Sequence, residues 1–170
     1  MVTVTEAIRL AGLAPGFEFV TPHGLARGSA VHAAINLDET GRLDESSVHA
    51  EVAPRLESWR LWRRAAGLVY ERGEVEVQGP GYVGHPDVIG TINGERWLLD
   101  VKGGSPAPWH AIQTALYAAA IGTPRMKRGA VYVQSDGKIA RLVEHHDRTD
   151  FAVGAAVVAV AQWKKNHGVA

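Results

Sequence analysis

The 170-residue chain balances 18 Lys+Arg against 18 Asp+Glu, is 46% hydrophobic and contains no cysteine. Its length and apolar content fit one globular domain with a real core, and the missing thiols exclude disulfides, thiolate zinc sites, cysteine nucleophiles and cysteine-held iron–sulfur clusters. A net charge of zero argues against a generally basic nucleic-acid binder but leaves room for a local basic face.

A short apolar helix is expected over residues 5–13, stopped by the Pro15-Gly16 turn. A second spans 26–37 with Val31, Ile35 and His32 towards its inner side, and 38–44, containing Gly41, reads as a turn. A third follows Ser46 or Ser47 as caps and runs to Ala66, with Val52, Leu56, Trp59 and Trp62 or Arg63 recurring near the helical period. Pro54 is tolerated in a first turn, which allows a start near Ala53. Residues 74–78 alternate like a half-buried strand and end at Gly79-Pro80-Gly81. Residues 82–92 and 95–101 are two further strands joined by the Asn93-Gly94 hairpin turn. A loop at 103–108 leads into an alanine-rich helix at 109–121. A hairpin follows, with strands at 129–134 and 138–143 around Ser135-Asp136-Gly137, and a helix over 150–165 closes the chain. This order predicts an α/β fold, a central mixed sheet flanked by helices, in a single domain.

The most apolar stretch, 151–160, is flanked by Asp150 and Lys164 and falls well short of the ~20 residues that span a bilayer. The opening MVTVTEAIRL lacks the basic start and apolar core of a secretory signal. A cytoplasmic protein with no membrane partner is expected. Any metal must rest on carboxylates, imidazoles, carbonyls and water.

Chemistry collects in Gly84-His85-Pro86-Asp87 and Asp100-Val101-Lys102. The Asn93-Gly94 turn lies near the middle of the interval 88–99, so an antiparallel hairpin brings Asp87 and Asp100 to the same end of the sheet. Asp100 and Lys102, two apart, share one strand face. Two carboxylates at such a point repel one another unless a cation sits between them. Mg²⁺ prefers such oxygen ligation, acidifies a bound water and neutralises charge on a phosphate. A neighbouring lysine orients the water and stabilises the charged transition state. Glu74 offers a third carboxylate, although Glu76 shares its strand face and spacing does not choose between them.

GHPD at 84–87 and LLDVK at 98–102 resemble the paired motifs of the PD-(D/E)XK nuclease superfamily, and Gln113 to Tyr117 resembles the QxxxY motif of its RecB-type branch. Upstream, Arg27-Gly28-Ser29-Ala30-Val31-His32 is similar to that branch's early helix, whose histidine is commonly a metal ligand. The resemblance covers roughly residues 22–117. It implies a restriction-endonuclease-like fold and Mg²⁺- or Mn²⁺-dependent DNA cleavage, as in small phage-like or stand-alone exonucleases of recombination and repair. By it, His32, Asp87, Asp100 and the Val101 carbonyl are metal ligands, Lys102 is catalytic, and Glu74 is favoured over Glu76. Gly103-Gly104 departs from the Thr-Gly that often follows the lysine, and the branch's iron–sulfur subgroup is excluded for want of cysteine.

Set against these are plainer meanings. A D-x-K tripeptide alone is usually a solvated strand end, and a histidine on an apolar helix face is usually a satisfied core residue. Gln113 and Tyr117, four apart, share a helix face and serve as a packing pair, a support for the D-x-K loop or a DNA contact. Trp109, four before Gln113, is as well suited to lip packing as to base stacking. Arg60, Arg63 and Arg64 form one basic group and Arg125, Lys127 and Arg128 another; one of the two is expected to touch phosphate. His145-His146-Asp147 is read as surface. The rival function is a catalytically silent nuclease-fold module for DNA binding or assembly. So small a domain invites a helicase or recombination partner, or a homo-oligomeric ring.

Overall fold

The computed structural model describes residues 1–14 and 21–169. A two-residue strand β1 (Val2–Thr3) leads into α1 (Val4–Leu10), which opens with a capping box between Thr3 and Glu6. Its expected stop at Pro15-Gly16 lies outside the described residues. Helix α2 (Pro22–Glu39) begins earlier than its apolar pattern suggests. Thr21 Oγ1 caps it by accepting the Gly24 N–H at 3.0 Å, and Pro22 fills a first-turn position where its missing N–H costs nothing. Residues 45–47 form one 3-10 turn, and α3 (Ala53–Ala66) starts after it, at the Ala53 position that Pro54 allowed.

The strands are β2 (Val69–Arg72), β3 (Val77–Gly79), β4 (Tyr82–Gly84), β5 (Val88–Ile92) and β6 (Glu95–Lys102). Helix α4 (Trp109–Ala120), β7 (Lys127–Tyr132), β8 (Arg141–Glu144) and α5 (Thr149–His167) complete the chain. A five-stranded sheet runs β2-β5-β6-β7-β8. Its pairs are antiparallel except β6–β7, which is parallel and therefore needs the α4 crossover. A small sheet β1-β4-β3 stands beside it. The fold is thus α/β, with a mixed sheet flanked by helices.

Side-chain alternation along β6 builds two cores. Trp97, Leu99 and Val101 pack with Leu56, Trp59 and Trp62 of α3 and Val31 and Ile35 of α2. Leu98 faces the other way, onto α1, α4 and α5. Fully buried side chains such as Leu56 and Leu98 each contribute about 1.5–3 kcal/mol.

Residues 82–92 are not one strand. Pro86 has no N–H for a ladder and restricts His85 before it, so the chain leaves the small sheet at Gly84 and enters the large one at Val88. Nor do residues 74–76 extend β3. Glu74 sits in the left-handed region at φ 54°, which strands do not use. β2, an exposed edge strand, has too little apolar alternation to be read from sequence.

Candidate metal centre

The β5–β6 hairpin turns through Asn93 (φ 52°) and Gly94 (φ 78°), the positive angles a two-residue turn requires. Its register runs from Ile92↔Glu95 to Val88↔Leu99, one step before Asp87 and Asp100. The hairpin thus delivers both aspartates to the same end of the sheet. Asp100 and Lys102 lie on the α4 side of β6, while α2 covers the opposite face, so the two helical layers meet the carboxylates from either side.

From α2, His32 reaches across with both ring nitrogens occupied. Nε2 is 3.0 Å from the Val101 carbonyl oxygen, and Nδ1 is 3.2 Å from Asp87 Oδ1 and 3.9 Å from Glu74 Oε1. Asp87 Oδ2 accepts the Val101 N–H at 2.5 Å. Glu74 enters through its strained backbone, whose N–H donates to the Pro86 carbonyl at 2.9 Å. Gly73 permits this approach, because a Cβ there would overlap the Asp87 carbonyl oxygen. His32, Glu74 and Asp87 each place one donor atom within 4.8 Å of the other two.

Lys102 lies on the other side. Its Nζ is 2.5 Å from Asp100 Oδ2 and donates to Gln113 Oε1 at 3.1 Å. Asp100 is buried, and this close ion pair supplies its charge partner. Gln113 Nε2 donates in turn to the Tyr117 hydroxyl at 2.9 Å. Trp109 closes this side, with its ring centroid 5.5 Å from Nζ. Gly84 makes room for the assembly, since a Cβ there would overlap the Tyr117 ring.

The electrostatics follow from burial and close charge. Burial raises Asp100, Asp87 pushes it further, and Lys102 only partly opposes them, leaving it at about 6. Burial also works to raise Asp87, but the His32 imidazolium and Lys102 hold it below the usual range. Glu74 is raised by burial and by Asp87. Burial opposes a charged His32, yet Asp87 and then Asp100 overcome it and lift the imidazole to about 9. Three carboxylates therefore crowd one imidazolium and one ammonium. Such a set of hard oxygen donors with an imidazole fits a divalent cation. His32 through Nδ1, Glu74 and Asp87 are placed to hold one, whereas the Val101 carbonyl, expected as a further ligand, sits on Nε2 at the far side of the ring and cannot reach the same ion; the buried Asp100–Lys102 pair adjoins the three.

Every residue expected at the centre is within this cluster: His32, Glu74, Asp87, Asp100, Val101, Lys102, Gln113 and Tyr117. One further detail differs from expectation: Glu74 groups with His32 and Asp87 more closely than Asp100 does. Of the alternatives open to Gln113 and Tyr117, burial and the bonds from Lys102 to Gln113 to Tyr117 fit packing and support of the D-x-K segment. Glu76 lies apart, accepting from Gln78 Nε2 at 2.7 Å.

The expected phosphate contacts fare worse. Arg60 pairs with Asp38 at 2.6 Å and with Glu45, Arg63 with Glu39 at 2.8 Å, and Arg64 with Glu57 at 3.3 Å, so the first two stitch α3 to α2 and its turn. Arg128 is buried and donates to the Ala111 and Asp147 carbonyls and to Asp150. It is a structural residue. Arg125 and Lys127 stand at the opposite end of the sheet, where Lys127 is in register with Trp97 while Lys102 faces Tyr132; at ~3.3 Å per residue that is roughly 16 Å away. Lys127 also pairs with Glu95 at 2.5 Å. His145 is not free surface either, since its Nδ1 is 2.9 Å from Thr114 Oγ1, whereas His146 is exposed.

Two arginines that sequence reasoning passed over, Arg27 and Arg55, line a concavity that reaches His32. The run RGSAVH held the only signal for Arg27, and nothing in the sequence distinguished Arg55 from its neighbours.

No family model matches the chain, and no curated protein does. Among solved structures it is similar to one titled "Crystal structure of SSO0001", at 17% identity and a TM-score of 0.41, with 95% of this chain and 73% of that chain covered. A likeness that distant carries no functional argument. Among the described residues, no helix is long and apolar enough to cross a membrane.

Proposed function

We propose that this chain is a divalent-metal-dependent nuclease that hydrolyses phosphodiester bonds in DNA, within a restriction-endonuclease-like fold. One observation carries the reading: His32, Glu74 and Asp87 converge beside a buried Asp100–Lys102 pair at one end of the sheet. The resemblance of GHPD, LLDVK and QxxxY to the RecB-type branch supports it, because each of those motifs contributes a side chain to that cluster. When bound, Mg²⁺ or Mn²⁺ supplies an acidified water and neutralises charge on the scissile phosphate.

The chain's own groups prepare that chemistry. With its Nε2–H on the Val101 carbonyl, His32 presents the Nδ1 lone pair to the acidic cluster once the imidazolium proton is lost. Asp87 is oriented by the Val101 N–H, and Glu74 by a backbone that only close approach to Pro86 sustains. Lys102 offers a charge-assisted donor that orients the attacking water and stabilises negative charge growing on the phosphate. Gln113, steadied by Tyr117, fixes the ammonium in place, so α4 sets the lysine's position while α2 sets the histidine's.

Deletion of a single preorganised donor costs about 10²–10³-fold in rate. Lys102→Ala should therefore lose cleavage by at least that factor while retaining metal and DNA binding. Cleavage at the wild-type rate would remove Lys102 from the chemistry.

A further inference from the structure

Beside the metal centre, a concavity of about 290 Å³ is bounded by Gly24, Arg27, Gly28 and His32 of α2, Arg55 of α3, and Gly103 and Gly104 of the loop after β6. Both arginines are half-buried in its wall. Arg27 Nη1 contacts Glu51 Oε2 at 3.4 Å, and Arg55 Nη1 donates to the Glu51 carbonyl at 2.8 Å. Among the described residues, each guanidinium thus commits one of its five N–H groups. The one carboxylate opposing them, Glu51, is 43% exposed and shared with His23 at 3.0 Å, and a long, exposed pair of that kind holds weakly.

The floor is bare backbone. Gly103 and Gly104 follow Lys102 directly; a Cβ at Gly104 would meet nothing within 4 Å, and one at Gly103 would only touch Arg55 Nε, at 3.8 Å. Gly28 likewise leaves the exposed face of α2 without a side chain, four residues before His32. Two arginine forks facing a glycine-lined floor suit a tetrahedral oxyanion, because the guanidinium plane matches phosphate oxygens and the missing side chains allow close approach.

We propose that this concavity is an anion subsite that binds a phosphodiester of the substrate strand next to the one being cleaved. Arg27 and Arg55 are the ligands, and the Gly103-Gly104 loop admits the strand. The proposal rests on the nuclease reading above and adds where the strand lies. It runs from His32 towards the first turns of α2 and α3, not across Arg60, Arg63 and Arg64 and not towards Arg125 and Lys127.

The test uses the full chain and a single-stranded oligonucleotide with hydroxyl groups at both ends, so that every phosphate is an internal diester. Binding is measured across a salt series with Ca²⁺ in place of Mg²⁺, and KM by cleavage with Mg²⁺. Arg27→Gln and Arg55→Gln should each weaken binding several-fold and lower the slope of log affinity against log salt by roughly 0.7, the value of one lost single-strand phosphate contact. KM should rise more than kcat falls. Gly104→Asp should act in the same direction and Gly104→Lys in the opposite one; both occur where the fold has space, so they report on charge and not on folding. Unchanged salt slopes in both arginine variants, with wild-type cleavage intact, would overturn the subsite alone. A wild-type chain that neither binds nor cuts this oligonucleotide or its duplex would overturn the nuclease reading and the subsite together.

Discussion

Replacing Asp100 with asparagine should stabilise the metal-free protein while abolishing the proposed cleavage. Asp100 is 1% exposed and its carboxyl is raised to about 6, against ~3.9 for an aspartate in an unfolded chain. Between those values the folded state binds the proton more tightly than the unfolded state, so stability falls as pH rises from about 4 to about 6, and the cost is complete at neutral pH. At ~1.4 kcal/mol per pH unit the ionised carboxylate costs the fold about 3 kcal/mol. Asparagine removes the charge but still buries a polar amide and deprives Lys102 of its partner, which reduces the gain to about 1–2 kcal/mol. For a chain of this size that is a rise in Tm of roughly 2–8 °C. Differential scanning calorimetry at pH 7.5 in EDTA measures it directly. The same scan with millimolar Mg²⁺ should stabilise the wild type, since a ligand bound only by the folded state raises its stability, and should stabilise Asp100→Asn less. A variant that melts below wild type in EDTA would show that Asp100 is a structural acid secured by Lys102, and the idea of a site strained towards a cation would fail.

The remaining predictions concern neighbours of that acid. Because His32 is lifted to about 9 from a value near 6.5 in the unfolded chain, its ion pair with Asp87 contributes full stability below about pH 6.5 and loses it as pH rises to about 9; in EDTA, His32→Gln should flatten the fall of Tm over that window, and an unaltered profile would deny the imidazolium. Gly73→Ala should destabilise by about 1–3 kcal/mol through overpacking against the Asp87 carbonyl, and should weaken Mg²⁺ binding by displacing Glu74, as read by calorimetric titration. Equal metal affinity in that variant would detach Glu74 from the site.

How far the sequence could be read depended on the range of the signal. The Asn93-Gly94 turn is local, and it alone carries Asp87 to Asp100, so the heart of the site was legible from turn chemistry and spacing. His32 was legible only through the resemblance of Arg27 to His32 to the RecB-type branch's early helix, since a histidine on an apolar helix face is by itself usually a satisfied core residue. Glu74 was legible as a candidate but not as a geometry: the alternation of 74–78 suggests a strand, whereas contact with Pro86 forces a left-handed residue there. The split at Pro86 was visible in hindsight as a missing donor, yet the sheet change it causes is a tertiary event. The basic clusters misled for a related reason. Arg60 finds Asp38 and Arg128 finds Asp150 across long separations, and nothing in a run of arginines says which are already paired. Arg55 shows the converse, its chemistry appearing only when α3 is laid against the Gly103-Gly104 loop.

Incubating the purified chain with end-labelled linear single- and double-stranded DNA and a covalently closed circle, each with Mg²⁺, Mn²⁺ or EDTA, tests the central claim most directly. Metal-dependent cleavage that is absent in EDTA and lost in Asp87→Asn is the expected result. Loss of the linear forms with the circle intact would identify an exonuclease, and nicking of the circle an endonuclease. No cleavage of any substrate with either metal would contradict the assignment and leave the cluster as a feature of a DNA-binding or assembly module.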